Sequence, residues 1–241
     1  NAQICNKICI PIQENFKITN YCGPFNFAAM VNRGAVTAKG QILLLLNNDT
    51  EIQDTQWLKE LVKQITRPDV GVVGNLLLFG DGTIQHAGVH PGFGGLMGHG
   101  HKHLSGKESG YFNRLKAVHE VAAVTGACLA IKKSTWEELD GMDERNLPVA
   151  YNDIDLCLKA RKRNLKIIFT PFSKVFHHES ISRGTDEVLE RNERLRKEIA
   201  FMKKKWGKFL EEDPAYNPNL ELSETTFKLA QIPRTLPLSE L

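Results

Sequence analysis

Apolar positions along the chain switch between two spacings, and the switching lays out an order of strands and helices. Residues 7–12 (KICIPI) are a short apolar run that reads as a strand. From 26 to 39, Phe27, Met30, Val31 and Ala35 recur at helical spacing, and Gly40 supplies a stop. Ile42–Leu46 is continuously apolar, as expected of a strand inside a parallel sheet covered on both faces. Thr55 begins a helix with Trp57, Leu58, Leu61, Val62 and Ile65 on one stripe, ended by Pro68. Val70–Phe79 is the next strand, and Asp81-Gly82 is a turn. Val121–Ile131 is a further buried strand, and Ser134 to Glu137 fits a capping box that starts a short helix. Asn152-Asp153 opens a helix whose stripe is Ile154, Cys157, Leu158 and Arg161. Strands follow at Lys166–Phe169, closed by Pro171, and at Lys174–Phe176. The spacing of Leu195, Ile199, Met202 and Trp206 predicts a long amphipathic helix over 186–210. Such alternation predicts an α/β protein of βαβ units, with a mostly parallel central sheet flanked by helices.

Two stretches escape the pattern. Residues 88–110 are rich in glycine and carry His90, His99, His101 and His103, and they read as a mobile surface loop. An extended backbone would put His99, His101 and His103 on one side. A zinc site there would want a fixed carboxylate or thiolate, and none accompanies the three imidazoles. Beyond Asp213 the chain has Pro and Asn without a clear period, so 213–241 reads as an extended tail.

Composition narrows the function classes. An apolar fraction of 41% and a charged fraction of 24% are ordinary for a globular protein. A net charge of +3 gives no reason to expect nucleic acid, and the basic runs Lys159–Arg163 and Arg194–Lys208 read as solvated helix faces. Five cysteines with no CxxC pair suggest neither a zinc knuckle nor a disulfide framework, which makes a reducing cytosol the expectation. The apolar runs fall short of the roughly 18 residues of a membrane helix, and the first residues show no leader pattern.

The chemistry-bearing residues sit where apolar segments end. Leu43–Leu46 run directly into Asn47-Asn48-Asp49; Asn152-Asp153-Ile154-Asp155 opens a helix; His177-His178-Glu179 closes a strand. Each has a plain explanation alone, namely an Asx-type turn, an N-cap and a satisfied histidine pair. Together they outline a site at strand ends, where open α/β sheets place ligands. A hard divalent cation takes carboxylate oxygen, tolerates imidazole, and leaves positions for substrate phosphates. Asp49 and His177 fit as its ligands. Asp153 or Asp155 remains as a carboxylate able to act as a base, its ionised form favoured by the helix dipole.

The strings PFNFAAMVNRGAVTAKGQILLLLNNDTEI, GTIQHAGV, AVTGACLAIKKSTWEELDGMDE, YNDIDLCLKARKRNLKIIFTP and VFHHESISRG resemble, in consecutive order over about residues 24–220, the inverting glycosyltransferases of family 2. The likeness is strongest to the bacterial branch that builds cell-surface polysaccharides, with O-antigen and rhamnosyl-type transferases. The resemblance implies a GT-A type, Rossmann-like domain over 1–185 whose first nucleotide-binding elements are missing, a packed helix over 186–212, and the tail. It implies Mn²⁺ or Mg²⁺, a nucleotide-diphosphate sugar donor, and a saccharide or lipid-linked acceptor. Asp49 matches the metal-binding carboxylate within Asn47-Asn48-Asp49, where Asn47 replaces the usual acid. His177 matches the late metal-binding histidine, with His178 second. Asp153 matches the catalytic base and Asp155 is its alternative. Asn32 and Arg33 match a segment beside the donor nucleotide, and Gly126 and Ala127 lie where small residues permit close approach. His86 is either a hydrogen-bonded histidine near a turn or an acceptor contact, and the 88–110 loop is expected to order on acceptor binding. The missing first strands would leave a sheet edge exposed, which favours self-association or further domains. A cytoplasmic location at the inner face of a membrane, with peripheral association, is the matching expectation. The alternative class is a non-catalytic glycan- or nucleotide-binding scaffold of the same fold; a two-metal hydrolase would want more carboxylates.

Overall fold

Asn26 leaves the extended region just before the first described helix, and its side chain accepts a hydrogen bond from the Ala29 N–H. That cap starts α1 (Phe27–Thr37), which leads into β1 (Ile42–Leu46) and, after a three-residue corner, β2 (Thr50–Ile52). The computed structural model describes residues 17–93, 96–178, 188–210, 213, 215–222 and 227–234, with the backbone alone for 188–192. The strand expected at 7–12 and the Glu179 of the third polar cluster lie outside these residues. Next come α2 (Trp57–Ile65), β3 (Val70–Leu78), β4 (Ile84–His86), β5 (Val89–Pro91), β6 (Met97–His99), β7 (His119–Glu120) and β8 (Cys128–Lys132). The chain continues through α3 (Lys133–Glu138), α4 (Asn152–Lys162), β9 (Lys166–His177) and α5 (Val188–Trp206).

Among the described residues seven strands form one sheet in the order β1-β8-β3-β9-β2, with β4 on β3 and β7 on β9. β3 is buried along its whole length, and its Val, Leu and Gly residues serve both faces. Helix α2 covers one face through Trp57, Leu61 and Ile65, while α1, α3, α4 and α5 cover the other. The architecture is therefore α/β with helices on both faces. Among the described residues parallel pairing holds only between β3 and β9; the other pairings are antiparallel. The expectation of a mostly parallel sheet is corrected to a mixed one, because a strand buried on both faces shows the same apolar run in either direction. β1 is also an edge strand among the described residues, not a central one, and Leu46 at its end is 40% exposed.

Other boundaries shift for identifiable reasons. The strand expected over Val121–Ile131 is regular only from Cys128; its first half is buried irregular chain that bridges to Val89. Helix α3 begins at Lys133 without a side-chain cap, so the capping box does not form. The two expected strands at 166–169 and 174–176 are one strand. Asn75 faces Thr170 and Leu76 faces Lys174, so Pro171, Phe172 and Ser173 bulge out and the ladder resumes.

The glycine-rich stretch is not a mobile surface loop. Val89, His90, Phe93 and His101 are buried, and β5 pairs with β6 as a small hairpin. Its partner is the segment expected as a free tail: Tyr216, Leu220 and Phe227 pack with Phe93 in one aromatic cluster. Asp213, buried at the head of that segment, lies 3.5 Å from both His90 Nδ1 and an Arg161 guanidinium nitrogen. The imidazoles diverge instead of sharing a side: His101 stacks on Phe227, His103 on Phe79, and His99 meets His86.

Candidate active site

The corner between β1 and β2 carries the first polar cluster. It is closed by the Thr50 hydroxyl donating to the Asn47 carbonyl at 2.7 Å, and Asn48 at its tip is exposed. Pairing of β2 with β9 sets Thr50 opposite His177, and the His178 N–H donates to the Asp49 carbonyl. This register brings Asp49 Oδ1 to 3.1 Å from His177 Nε2. His178 turns away to Glu51, 2.9 Å from its carboxylate, so it is not part of the pair.

Gln85, on β4, orients His177. Its amide nitrogen donates to the His177 carbonyl at 3.2 Å, which fixes the amide oxygen against His177 Nδ1 at 2.6 Å. An oxygen acceptor there requires the imidazole proton on Nδ1. In the neutral ring Nε2 then carries a lone pair, and the Asn47 amide donates to it at 3.2 Å. A lone pair and a carboxylate oxygen thus converge at hydrogen-bond distance, an arrangement that a cation between them would satisfy. Imidazole metal ligands characteristically donate their second nitrogen to an oxygen in this way. Asp49 and His177 are the residues that would hold a divalent ion, with its remaining ligands supplied from outside the pair. Among the described residues no group of three or more His, Cys, Asp or Glu is placed to hold a metal by itself.

Asp153 sits at the first turn of α4. Oδ2 accepts the Gly126 N–H and Oδ1 the Ile154 N–H, each at 2.8 Å. Burial pushes its carboxyl above the ordinary aspartate range, against the pull of those two N–H groups and the Thr125 hydroxyl. Asp153 lines a cavity of about 360 Å³ together with Thr125, Tyr151, His99 and Arg194. Tyr151 enters the helix from the left-handed region at φ 62°. The two arms are stitched together: the Ala127 carbonyl accepts the Asn47 N–H at 2.9 Å, next to the Gly126 N–H that holds Asp153. Gly126 and Ala127 therefore stand between the Asp49–His177 pair and the base candidate.

Three expected residues are placed elsewhere. Asp155 is fully buried and bound by the Trp206 indole N–H at 2.8 Å and Lys205 Nζ at 2.7 Å, so it anchors α5 and is removed as an alternative base. The Asn32 amide is spent on the loop after α3, donating to the Met142 carbonyl and Glu144 carboxylate and accepting the Met142 N–H. It staples α1 and is corrected from a donor contact to a structural residue. Gly141 serves the same joint: at φ 53°, a Cβ there would lie 2.6 Å from Asn32 Oδ1. Arg33 is exposed on α1. Gln85 was missed from sequence; its one signal was an amide inside the apolar segment ending at His86.

Comparison with known proteins bears on the family and the fold. The family model for glycosyl transferase family 2 matches residues 2–135. Over 86% of its length the chain is 44% identical to the uncharacterized protein y4gI of Sinorhizobium fredii (strain NBRC 101917 / NGR234). Over 87% it is 39% identical to the O-antigen biosynthesis protein RfbC of Myxococcus xanthus. These alignments take in only 23% and 16% of the two relatives' own lengths. Among solved structures, GalNAc-T7 with UDP, GalNAc and Mn²⁺ superposes with a TM-score of 0.56 at 18% identity, covering 77% of this chain and 36% of that one. That likeness establishes a GT-A type fold. The chain belongs to glycosyl transferase family 2 and is a glycosyltransferase domain of that family.

Proposed function

We propose that this site transfers a sugar from a nucleotide-diphosphate sugar to a hydroxyl of a saccharide or lipid-linked acceptor, with inversion, in the making of a surface polysaccharide. The observation that carries the reading is the joined pair of arms: Asp49 against the Nε2 lone pair of His177, linked through Ala127 and Gly126 to Asp153 in its cavity. The O-antigen name of the Myxococcus xanthus relative supports the polysaccharide setting.

In this reading Asp49 and His177 hold Mn²⁺ or Mg²⁺ together with the donor diphosphate. When bound, such an ion neutralises charge on the departing nucleoside diphosphate. Asp153 faces the acceptor and takes the proton from the attacking hydroxyl. Its two N–H bonds hold the carboxylate in place on a residue that lines the cavity. A nucleotide-sugar donor implies a cytoplasmic reaction, at the inner face of the membrane where the acceptor is lipid-linked. No helix among the described residues is long and apolar enough to cross a membrane.

Calorimetric titration of UDP-, GDP- and dTDP-sugars with and without Mn²⁺ tests the proposal. One of them should bind only with the metal, and D49A should lose that binding. Binding of none, or equal binding by D49A, would overturn it.

A further inference from the structure

His86 is fully buried, and its Nδ1 lies 2.8 Å from Nδ1 of His99 on β6. Two nitrogens at that distance share one proton, so one ring donates and the other accepts. If His99 donated, His86 would carry its proton on Nε2, a buried atom with no hydrogen-bond partner. An orphaned buried N–H is rarer and less tolerated than an orphaned acceptor. His86 is therefore the donor, with a bare and buried Nε2. Charging either ring is opposed by burial, which holds His86 well below the ordinary histidine range and His99 at about 4. His99 then accepts at Nδ1 and carries its own proton on Nε2. His99 lines the cavity that Asp153 also lines, and its Nε2 has no protein partner among the described residues.

We propose that His99 is the acceptor-orienting residue of this site: His86 fixes its tautomer so that Nε2–H donates to an oxygen of the acceptor saccharide beside the hydroxyl facing Asp153. The ligand class is a neutral, hydroxyl-rich sugar. Arg194, the cationic group in the wall, has its charge met by Glu198 at 3.8 Å. Tyr151 adds an aromatic face of the kind that sugar rings pack on, and Val89 and Met97 line the wall near His99. His86 acts through His99 and is a positioning residue. The inference rests on the transferase reading for the identity of the ligand but not for the tautomers.

The test is a long-range ¹H–¹⁵N correlation spectrum of the full chain labelled at histidine, titrated with methyl glycosides at millimolar concentration. His86 should be protonated at Nδ1 and His99 at Nε2, and at least one glycoside should shift His99 Nε2. H99F should weaken glycoside binding by about tenfold, the loss of one neutral hydrogen bond. H99Q, whose amide reaches the Nε2 position, should recover most of it. H86L should release the His99 proton from Nε2, and H86N, with a donor at the Nδ1 position, should restore it. Protonation of His99 at Nδ1 in the unmodified chain, or glycosides that leave Nε2 unmoved, would overturn the proposal. Broadening of His177 by Mn²⁺ with a nucleoside diphosphate reports separately on the donor reading, so each can fail alone.

Discussion

Gln85→Leu isolates the brace behind His177. The glutamine is buried and makes two hydrogen bonds to one residue: its amide nitrogen to the His177 carbonyl at 3.2 Å, and its oxygen to Nδ1 at 2.6 Å. Leucine is of similar size, so the pocket stays filled while both bonds vanish. The Nδ1 proton then has no fixed acceptor and is free to move to Nε2, which removes the lone pair that faces Asp49. Loss of an outer-shell partner of this kind costs about 10–100-fold in metal affinity, equivalent to about 1.4–2.8 kcal/mol. The orphaned groups should also lower stability by about 1–3 kcal/mol each. Calorimetry of Mn²⁺-dependent nucleoside diphosphate binding reads the first effect, and denaturant unfolding without metal reads the second. Gln85→Glu keeps an oxygen acceptor for Nδ1 and should bind more nearly like the unmodified chain. A folded Gln85→Leu protein with unchanged metal-dependent affinity would refute the tautomer reasoning.

Other expectations follow from separate parts of the structure. Asp153→Asn should abolish transfer and leave donor binding intact; retained turnover would remove Asp153 as the base. Because burial raises the Asp153 carboxyl, and only its ionised form accepts a proton, kcat/KM should fall as pH drops through a value above the ordinary 3.8. Phe227→Ala should cost about 3–5 kcal/mol in denaturant unfolding, since the ring is 4% exposed and stacks on His101 at 4.2 Å; a loss below about 1 kcal/mol would mean that the C-terminal segment contributes little to holding the hairpin. Gly74→Ala would place a Cβ 2.5 Å from Val124 Cβ in the sheet core and should destabilise by about 1–3 kcal/mol, measured the same way.

Helices and strands were legible in the sequence because each buries one stripe or face, and the apolar spacing records it. Sheet direction was not, since β1 and β8 pair antiparallel through residues that would look the same in a parallel ladder. The histidine-rich stretch was misread for a different reason. Its glycines and imidazoles resemble loop composition, while the groups that bury it, Asp213, Tyr216 and Phe227, lie more than a hundred residues away and follow no local period. At the site, Asp49, Asp153 and His177 were visible as polar residues ending apolar segments. The choice between Asp153 and Asp155 was not, because two residues on a helix differ by about half a turn. Asp153 lines the cavity, and the Asp155 carboxylate meets Trp206. Asn32 showed the opposite failure: the family resemblance implied a place beside the donor nucleotide, and a loop over a hundred residues later had claimed its amide.

Under the proposed roles, the link through Gly126 and Ala127 means that the two arms of the site do not vary independently. Only the backbone torsions of these two residues separate the N–H that grips Asp153 from the carbonyl that grips Asn47. A substitution that alters those torsions is felt on both sides at once. Its free-energy effect should then depart from simple addition when combined with a change at either arm, whereas changes at Asn47 and at distant α2 should sum. A stretch of two small residues thus sets how tightly donor-side and acceptor-side changes are tied to each other as the sequence diversifies.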